Sequence, residues 1–388
     1  MSHMVMSRHF FKYSVMHNNT SSRKSGRRAI SSGLTLIELL VALVLGIFLI
    51  GGILSVFTST QQSFRSTENL AKIQESARFA FEQMARDLRE AGTNPCGTKA
   101  VASVVRTGLV PPTVLPWWAD WNSGTMVGYE GTVIGGNVSF GTTLGQRVAG
   151  TDAVSVLRAR MDDSDLRTIQ AHNTVTTAIT LDSVVRYAAN DVVLACDSAS
   201  AAIFEVWAVS TGAKTIEHSA LVPTNNCKST LGWPQPANCT GTVSKQFAPG
   251  GFVTKYDPGF WYIGIGTNNR RALYRLAQVN RTVSGVNIQT TEAREMVTDV
   301  HDMQIQYLVR DKDAASGLDL ATTWINADDS IFSVASGAWT EANIKEAVAT
   351  RVALTFRSPD AVGTNGLPLE RSTVSVISLR SRETKLKL

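Results

Sequence analysis

Beyond residue 33 the chain has little with which to do chemistry. It holds only three histidines there, His172, His218 and His301, far apart and with no H-E-x-x-H arrangement to seat zinc. Its four cysteines include no C-x-x-C pair, which removes the usual zinc and redox spacings. There is no G-x-S-x-G nucleophile elbow and no Walker loop. Gly264-Ile265-Gly266 lacks the third glycine of a dinucleotide fingerprint and runs into strand-like residues instead of a helix. No nucleophile, base and metal set converges, so the expectation is a protein that is not an enzyme and needs no cofactor. Internal repeats are also absent.

Acid is missing from one end. Residues 1–33 contain no Asp or Glu, while Arg8, Lys12, Arg23, Lys24, Arg27 and Arg28 all fall there. The whole chain has 37 Lys and Arg against 32 Asp and Glu, a net of +5, and without this leader 31 basic residues face 32 acidic ones, a net of −1. A basic whole-chain balance ordinarily suggests nucleic acid. The remainder of this chain gives no such reason, and no direct nucleic-acid partner is expected.

What is present is an apolar run over residues 34–57, interrupted by one charge, Glu38. At ~1.5 Å per helical residue it covers roughly 36 Å, enough for a hydrocarbon core of about 30 Å. The basic leader places residues 1–33 in the cytoplasm by the positive-inside rule, and the rest of the chain outside. A secretory signal would be shorter, without an internal acid and with a small-residue cleavage site behind it. A carboxylate at mid-bilayer costs on the order of 2.5–3.5 kcal/mol, so Glu38 either snorkels, as in a plain signal anchor, or meets a partner cation.

The string Ser32-Gly33-Leu34-Thr35-Leu36-Ile37-Glu38-Leu39-Leu40 resembles the class III signal of type IV pilins and type II secretion pseudopilins. That resemblance implies cleavage after Gly33 by a prepilin peptidase, N-methylation of the new amino terminus at Leu34, and residence of the mature subunit in the inner membrane. It makes Glu38 the fifth residue of the mature chain. Its carboxylate would pair with a neighbouring subunit's amino group and select the register of assembly. Leu34 departs from the Phe or Met most common at that position. The leader is long for the family, and a start at Met16 would still include Arg23 to Arg28.

Past the span, Phe64, Leu70, Ile73, Ala77, Phe81, Met84 and Leu88 recur at threes and fours, with Arg78, Glu82, Arg86, Asp87 and Glu90 between them. Gly92 and Asn94-Pro95 stop the pattern. One helix from Leu34 to about Ala91, about 87 Å long, is expected. Gly46 and the Gly51-Gly52 pair each weaken it by about 1 kcal/mol relative to Ala. They would permit melting inside a filament or close helix packing in the membrane.

From residue 93 onward short β-branched or alternating runs are separated by Gly, Asn, Asp and Pro. Residues 303–309, 352–356 and 374–376 read as strands with one face buried. The expected class is α+β: a membrane-spanning pilin-type helix packed on a large β-rich periplasmic head. The expected divisions are leader 1–33, spanning and assembly segment 34–57, amphipathic segment 58–92 and head 93–388.

An oxidising periplasm permits disulfides among Cys96, Cys196, Cys227 and Cys239, and four cysteines allow three connectivities. The local Cys227–Cys239 staple, worth roughly 3 kcal/mol by loop entropy, is favoured, which leaves Cys96 to pair with Cys196; free thiols are the alternative. Two acidic groups, Asp162-Asp163 with Asp165, and Asp311 with Asp313 and Asp319, have oxygen ligands for Ca²⁺. Ala315 and a displaced Gly317 spoil an EF-hand match, and solvated turns are expected. Trp117, Trp118 and Trp121, near Pro111-Pro112 and Pro116, either form an exposed aromatic patch or plug the core beside a loop.

Further landmarks narrow the resemblance to the PilW-like minor pilins. They are Gly128-Tyr129-Glu130, Gly150-Thr151-Asp152-Ala153, Phe260-Trp261-Tyr262-Ile263 followed by Ala272-Leu273-Tyr274-Arg275, then Glu295-Met296-Val297 through Val300 to Gln304-Ile305-Gln306-Tyr307, and Leu379-Arg380-Ser381-Arg382. The resemblance implies a low-copy subunit that primes a type IV pilus and sits near its tip, supporting twitching motility, adhesion or DNA uptake. Its implied partners are other minor and major pilins, the prepilin peptidase, the inner-membrane assembly platform and membrane lipid. A large secretion pseudopilin or a tip adhesin is the alternative. Replacing the small residue at the cleavage point, Gly33→Val, is expected to leave only full-length precursor in membranes, read as a higher mass on gels and by intact-protein mass spectrometry.

Overall fold

The computed structural model describes residues 33, 35–98, 100–107, 115–221, 224–232, 239, 244–283, 286–311, 323–329, 332, 345–363 and 365–380. The chain divides into two compact units, Met1–Thr60 and Gln61–Leu388. In the first unit the described residues are the opening part of a long helix, α1 (Leu36–Arg89). Its apolar side chains between residues 36 and 57 are exposed all round.

The second unit carries the rest of α1 and the strands. In chain order these are β1 (Val101–Ser103), β2 (Met126–Tyr129), β3 (Ala153–Val156), β4 (Arg167–Asn173), β5 (Ala178–Leu181), β6 (Val192–Cys196), β7 (Ala201–Glu205) and β8 (Ala208–Ser210). They continue with β9 (Thr215–Glu217), β10 (Phe252–Lys255), β11 (Gly259–Ile265), β12 (Arg271–Val283), β13 (Val286–Thr298), β14 (Val300–Asp311), β15 (Lys345–Arg357) and β16 (Glu370–Ser378). Among the described residues they form sheets of eight strands (β1-β7-β6-β10-β4-β5-β9-β8), five strands (β13-β12-β11-β3-β2) and three strands (β14-β15-β16). Pairing is antiparallel except between β1 and β7. A long apolar amino-terminal helix with a large β-rich domain is the α+β class.

The helix buries one stripe. Ile73, Ala77, Ala80, Met84, Leu88 and Ala91, spaced by three and four, share a core with Val154, Trp261 and Leu273 of the five-stranded sheet and with Ile305, Val352 and Phe356 of the three-stranded sheet. The helix ends where Gly92 takes φ +73°, a left-handed conformation that favours glycine, and the Gly92 N–H donates to Leu157 O at 2.8 Å. In the eight-stranded sheet both faces are covered. Val193 and Ala195 of β6 enter one apolar cluster, while Val192, Leu194 and Cys196 enter another, which is why this strand reads as a continuous apolar run.

One expected inner face is turned over. Met303, Ile305, Tyr307 and Val309 of β14 are buried, as are Val352, Leu354 and Phe356 of β15, but Val374 and Val376 of β16 are 57% and 59% exposed. Ile377 points inward instead. A period of two marks that a strand alternates without saying which phase faces the core, and here the apolar pair took the outer one.

Asp87, which the sequence places between the apolar positions, is 4% exposed. It accepts from Trp261 Nε1 at 3.0 Å and from Arg275 Nε at 2.7 Å, and lies 3.0 Å from Arg158. Arg158 also binds Glu90 and reaches Asp257 at 2.5 Å, and Arg275 reaches Asp257 at 3.0 Å. Burial pushes the Asp257 carboxyl up, but the guanidiniums of Arg275, Arg158 and Arg160 outweigh it and hold that carboxyl below its ordinary value. Arg158→Leu would leave Asp87, Glu90 and Asp257 short of a buried cation, and is expected to lower unfolding stability by about 3–5 kcal/mol in urea titrations.

Candidate functional site

The sequence-predicted processing and assembly residues lie at the start of α1. Gly33 is exposed. Leu34 lies outside the described residues. Thr35 immediately precedes the first helical residue, and its Oγ1 accepts the Glu38 backbone N–H at 3.3 Å while lying 3.5 Å from Glu38 Oε2. This is an N-cap with an acid at the third helical position, a role for Glu38 that the sequence reading missed. The signal was there, because Thr35-Leu36-Ile37-Glu38 fits the capping pattern of Ser or Thr followed three residues later by Glu. An acid in the first turn also complements the helix dipole. The following segment is long and apolar enough to cross a membrane, with none of its apolar window buried.

Disulfides join Cys96 to Cys196 and Cys227 to Cys239. The first ties the chain just past α1 to the end of β6; the second closes a short loop. Trp118 and Trp121 are buried at 2% and 6% exposure, and half-buried Trp117 meets Phe260 edge-on at 5.8 Å. The tryptophans therefore plug the core and form no exposed patch. Pro111 and Pro112 lie outside the described residues.

The described acidic residues give no metal centre. Asp162 and Asp163 are exposed, but Asp165 is 3% exposed and neutralised by Arg160 and Arg186 at 3.3 and 3.6 Å, which corrects the expectation of a solvated turn at that residue. Among the described residues no three acids, histidines or cysteines gather as metal ligands. Asp313 and Asp319, with Ala315 and Gly317, lie outside the described residues.

Several landmark residues of the second unit meet around one side chain. Arg147 is fully buried and donates to the carbonyls of Tyr129, Glu130, Val133 and Thr151 at 2.5–3.3 Å. The Gly131 and Gly150 backbones are so close that a Cβ on Gly131 would stand 2.6 Å from Gly150 Cα. Asp152 then reaches the Ile305 N–H at 2.8 Å and Glu130 reaches the Ala327 N–H at 2.8 Å, linking the five-stranded to the three-stranded sheet. Burial pushes the Asp152 carboxyl up to about 7. The role of this cluster is structural, since the hydrogen-bond acceptors on Arg147 are backbone carbonyls and its guanidinium also lies over the Phe140 ring at 5.0 Å.

Two of the three histidines beyond residue 33, far apart in sequence, are a buried pair. His172 and His218 are 46 positions apart in sequence yet their Nε2 atoms lie 2.9 Å apart. Phe247 N–H donates to His172 Nδ1 at 3.0 Å, and His218 Nδ1 stands 2.8 Å from Ser229 O. One proton arrangement satisfies all four nitrogens: His218 donates from Nδ1 to the carbonyl, and His172 donates from Nε2 to His218 Nε2. Neither ring then has room for a second proton. Burial pushes His172 down to about 4, with Lys245 adding to it; burial and then His172 push His218 down to about 3.

No family model, curated protein or solved structure matches this chain.

The pair has a pH consequence. As pH falls below about 6.5 the unfolded histidines take up protons that the folded pair refuses, so each removes up to about 1.4 kcal/mol of stability per pH unit. Glu205, which burial pushes up to about 7, and Asp152 act in the opposite direction, holding protons in the folded state that the unfolded chain releases above about pH 4. Net stability between pH 6.5 and 4.5 is therefore expected to change little, whereas a His172→Gln/His218→Gln variant should gain stability relative to the parent on acidification. Urea titrations at stepped pH measure that difference.

Proposed function

We propose that this chain is a minor pilin resembling the PilW-like subunits, a non-enzymatic component of a type IV pilus. One observation carries the reading: Gly33 precedes a helix whose opening apolar segment, residues 36–57, is exposed on every side and holds a single acid, Glu38. Such a surface requires lipid or other helices around it, and the basic leader favours the inner membrane, with residues beyond the span in the periplasm. Prepilin peptidase removes residues 1–33, and Leu34 becomes the methylated amino terminus. The assembly platform then moves the helix from lipid into a bundle with major and minor pilins. In that bundle the Glu38 carboxylate pairs with a neighbour's amino group, because a carboxylate surrounded by apolar helices needs a cation.

The two disulfides support an oxidising destination for the second unit. The structural roles of the buried charges support an assembly subunit over a catalytic one. Pilus and secretion pseudopilus are separated by deleting the gene: loss of pili with normal secretion supports the pilin, and the reverse supports the pseudopilin. Glu38→Ala is expected to abolish cross-linking of the processed subunit to other pilins while leaving it processed and in the membrane. Thr35→Val removes the helix cap and keeps the charge, so it should assemble; equal loss in both variants would trace the loss to the geometry of the helix start and overturn the assembly role of the Glu38 charge.

A further inference from the structure

Arg271 opens β12, His301 lies at the start of β14 and Arg357 closes β15; together with Pro359 and Pro368 they line a cleft of about 310 Å³. A third guanidinium there, Arg270, is already neutralised by Asp299, at 2.8 Å through Nε. The other two are not. Arg271 donates from Nη1 to the His301 carbonyl at 2.9 Å, which fixes its head group but supplies no negative charge. Arg357 is exposed, its backbone N–H donates to Asp299 O at 3.0 Å, and its side chain is in no ion pair among the described residues.

The local balance of charge follows from His301. Burial pushes its imidazole below the ordinary value, and Arg271 and then Arg357 push it the same way; Glu370 and Asp302 act in the opposite sense and are outweighed. His301 is thus neutral at pH 7, with one ring N–H to donate. Two uncompensated guanidiniums, a neutral imidazole and two proline rings in one concavity suit an anion with an apolar side.

We propose that this cleft binds one oxyanion, a carboxylate or a phosphate ester carried by an organic group, with Arg271 and Arg357 as its charged donors and Pro359 and Pro368 against its apolar part. This site is independent of the pilus reading, since none of its residues belongs to the helix.

The test uses full-length protein in detergent, calorimetric titration and imidazole NMR, with phenyl phosphate and benzoate as probes that share a ring and differ in the anion. At least one is expected to bind with a submillimolar constant and to shift the His301 imidazole signal. Arg271→Gln and Arg357→Gln should each weaken binding about tenfold, and Arg281→Gln, on the exposed part of β12, should not. Arg357 is exposed, so its variant keeps the fold and carries the test if Arg271→Gln does not. Binding of phenyl phosphate alone assigns the site to phosphate esters, and of benzoate alone to carboxylates. Neither probe binding below about 10 mM, or binding unchanged in Arg357→Gln, overturns the proposal.

Discussion

Two aspartates, Asp87 on the helix and Asp257 between β10 and β11, meet Arg158 and Arg275, with Asp87 and Arg158 buried and the other two half-buried, and the arrangement of the second unit turns on that alternation of charge. Both guanidiniums contact both carboxylates. Burying any one of the four alone would cost several kcal/mol. Together they fix the rotation of the helix about its axis, because Asp87 reaches Arg275 and Trp261 only when the Met84 and Leu88 stripe faces the same sheet. Apolar packing alone tolerates sliding and rotation, while a bidentate charge pattern does not. The cluster therefore supplies register more than net stability.

Two other polar devices repeat that logic, one between the five- and three-stranded sheets and one on the eight-stranded sheet. Arg147 gathers the loop carbonyls after β2 and before β3, which sets Asp152 against the β14 backbone. The His172–His218 pair joins β4 to the segment after β9 and, through Ser229 and Phe247, to the Cys227–Cys239 loop and the stretch after it. In each case a buried polar group sits where backbone donors or acceptors would otherwise be unsatisfied. The three-sheet arrangement is therefore held at its seams by hydrogen bonding and within its layers by apolar packing.

How far the sequence reveals this depends on distance along the chain. The helix and its stop at Gly92 are legible because three- and four-residue spacing is local. Asp87 was legible by spacing but not by type: it lies three residues after Met84 and four before Ala91, on the buried stripe itself, with a charge that sets it apart from the apolar positions. The β14 and β15 faces follow from alternation, but the outward turn of Val374 and Val376 does not, because phase is decided by what the neighbouring strand needs. The His172–His218 contact bridges 46 residues, and nothing local in either segment announces it. At the amino-terminal site the Thr35 cap was written in four consecutive residues, and attention to the charge of Glu38 hid its simpler local bond.

That local bond bears on how Glu38 could serve assembly. An N-cap contributes about 1 kcal/mol, and the Thr35 hydroxyl, being neutral, cannot cancel a carboxylate's charge. In water or at a lipid headgroup the cap suffices, since solvent screens the charge. Once surrounded by apolar helices the same carboxylate faces a desolvation penalty of several kcal/mol, which a hydroxyl does not offset and an ammonium group within hydrogen-bond reach can. Under the proposed assembly, the Thr35 hydroxyl and the intersubunit ammonium would be successive partners of one side chain: Thr35 would orient the carboxylate at the helix start before assembly, and the incoming amino group would take over as water is excluded. An acid that only complemented the helix start could as well be Asp, whereas the proposed sequence of partners would need a full charge on a side chain long enough to leave Thr35 and reach outward.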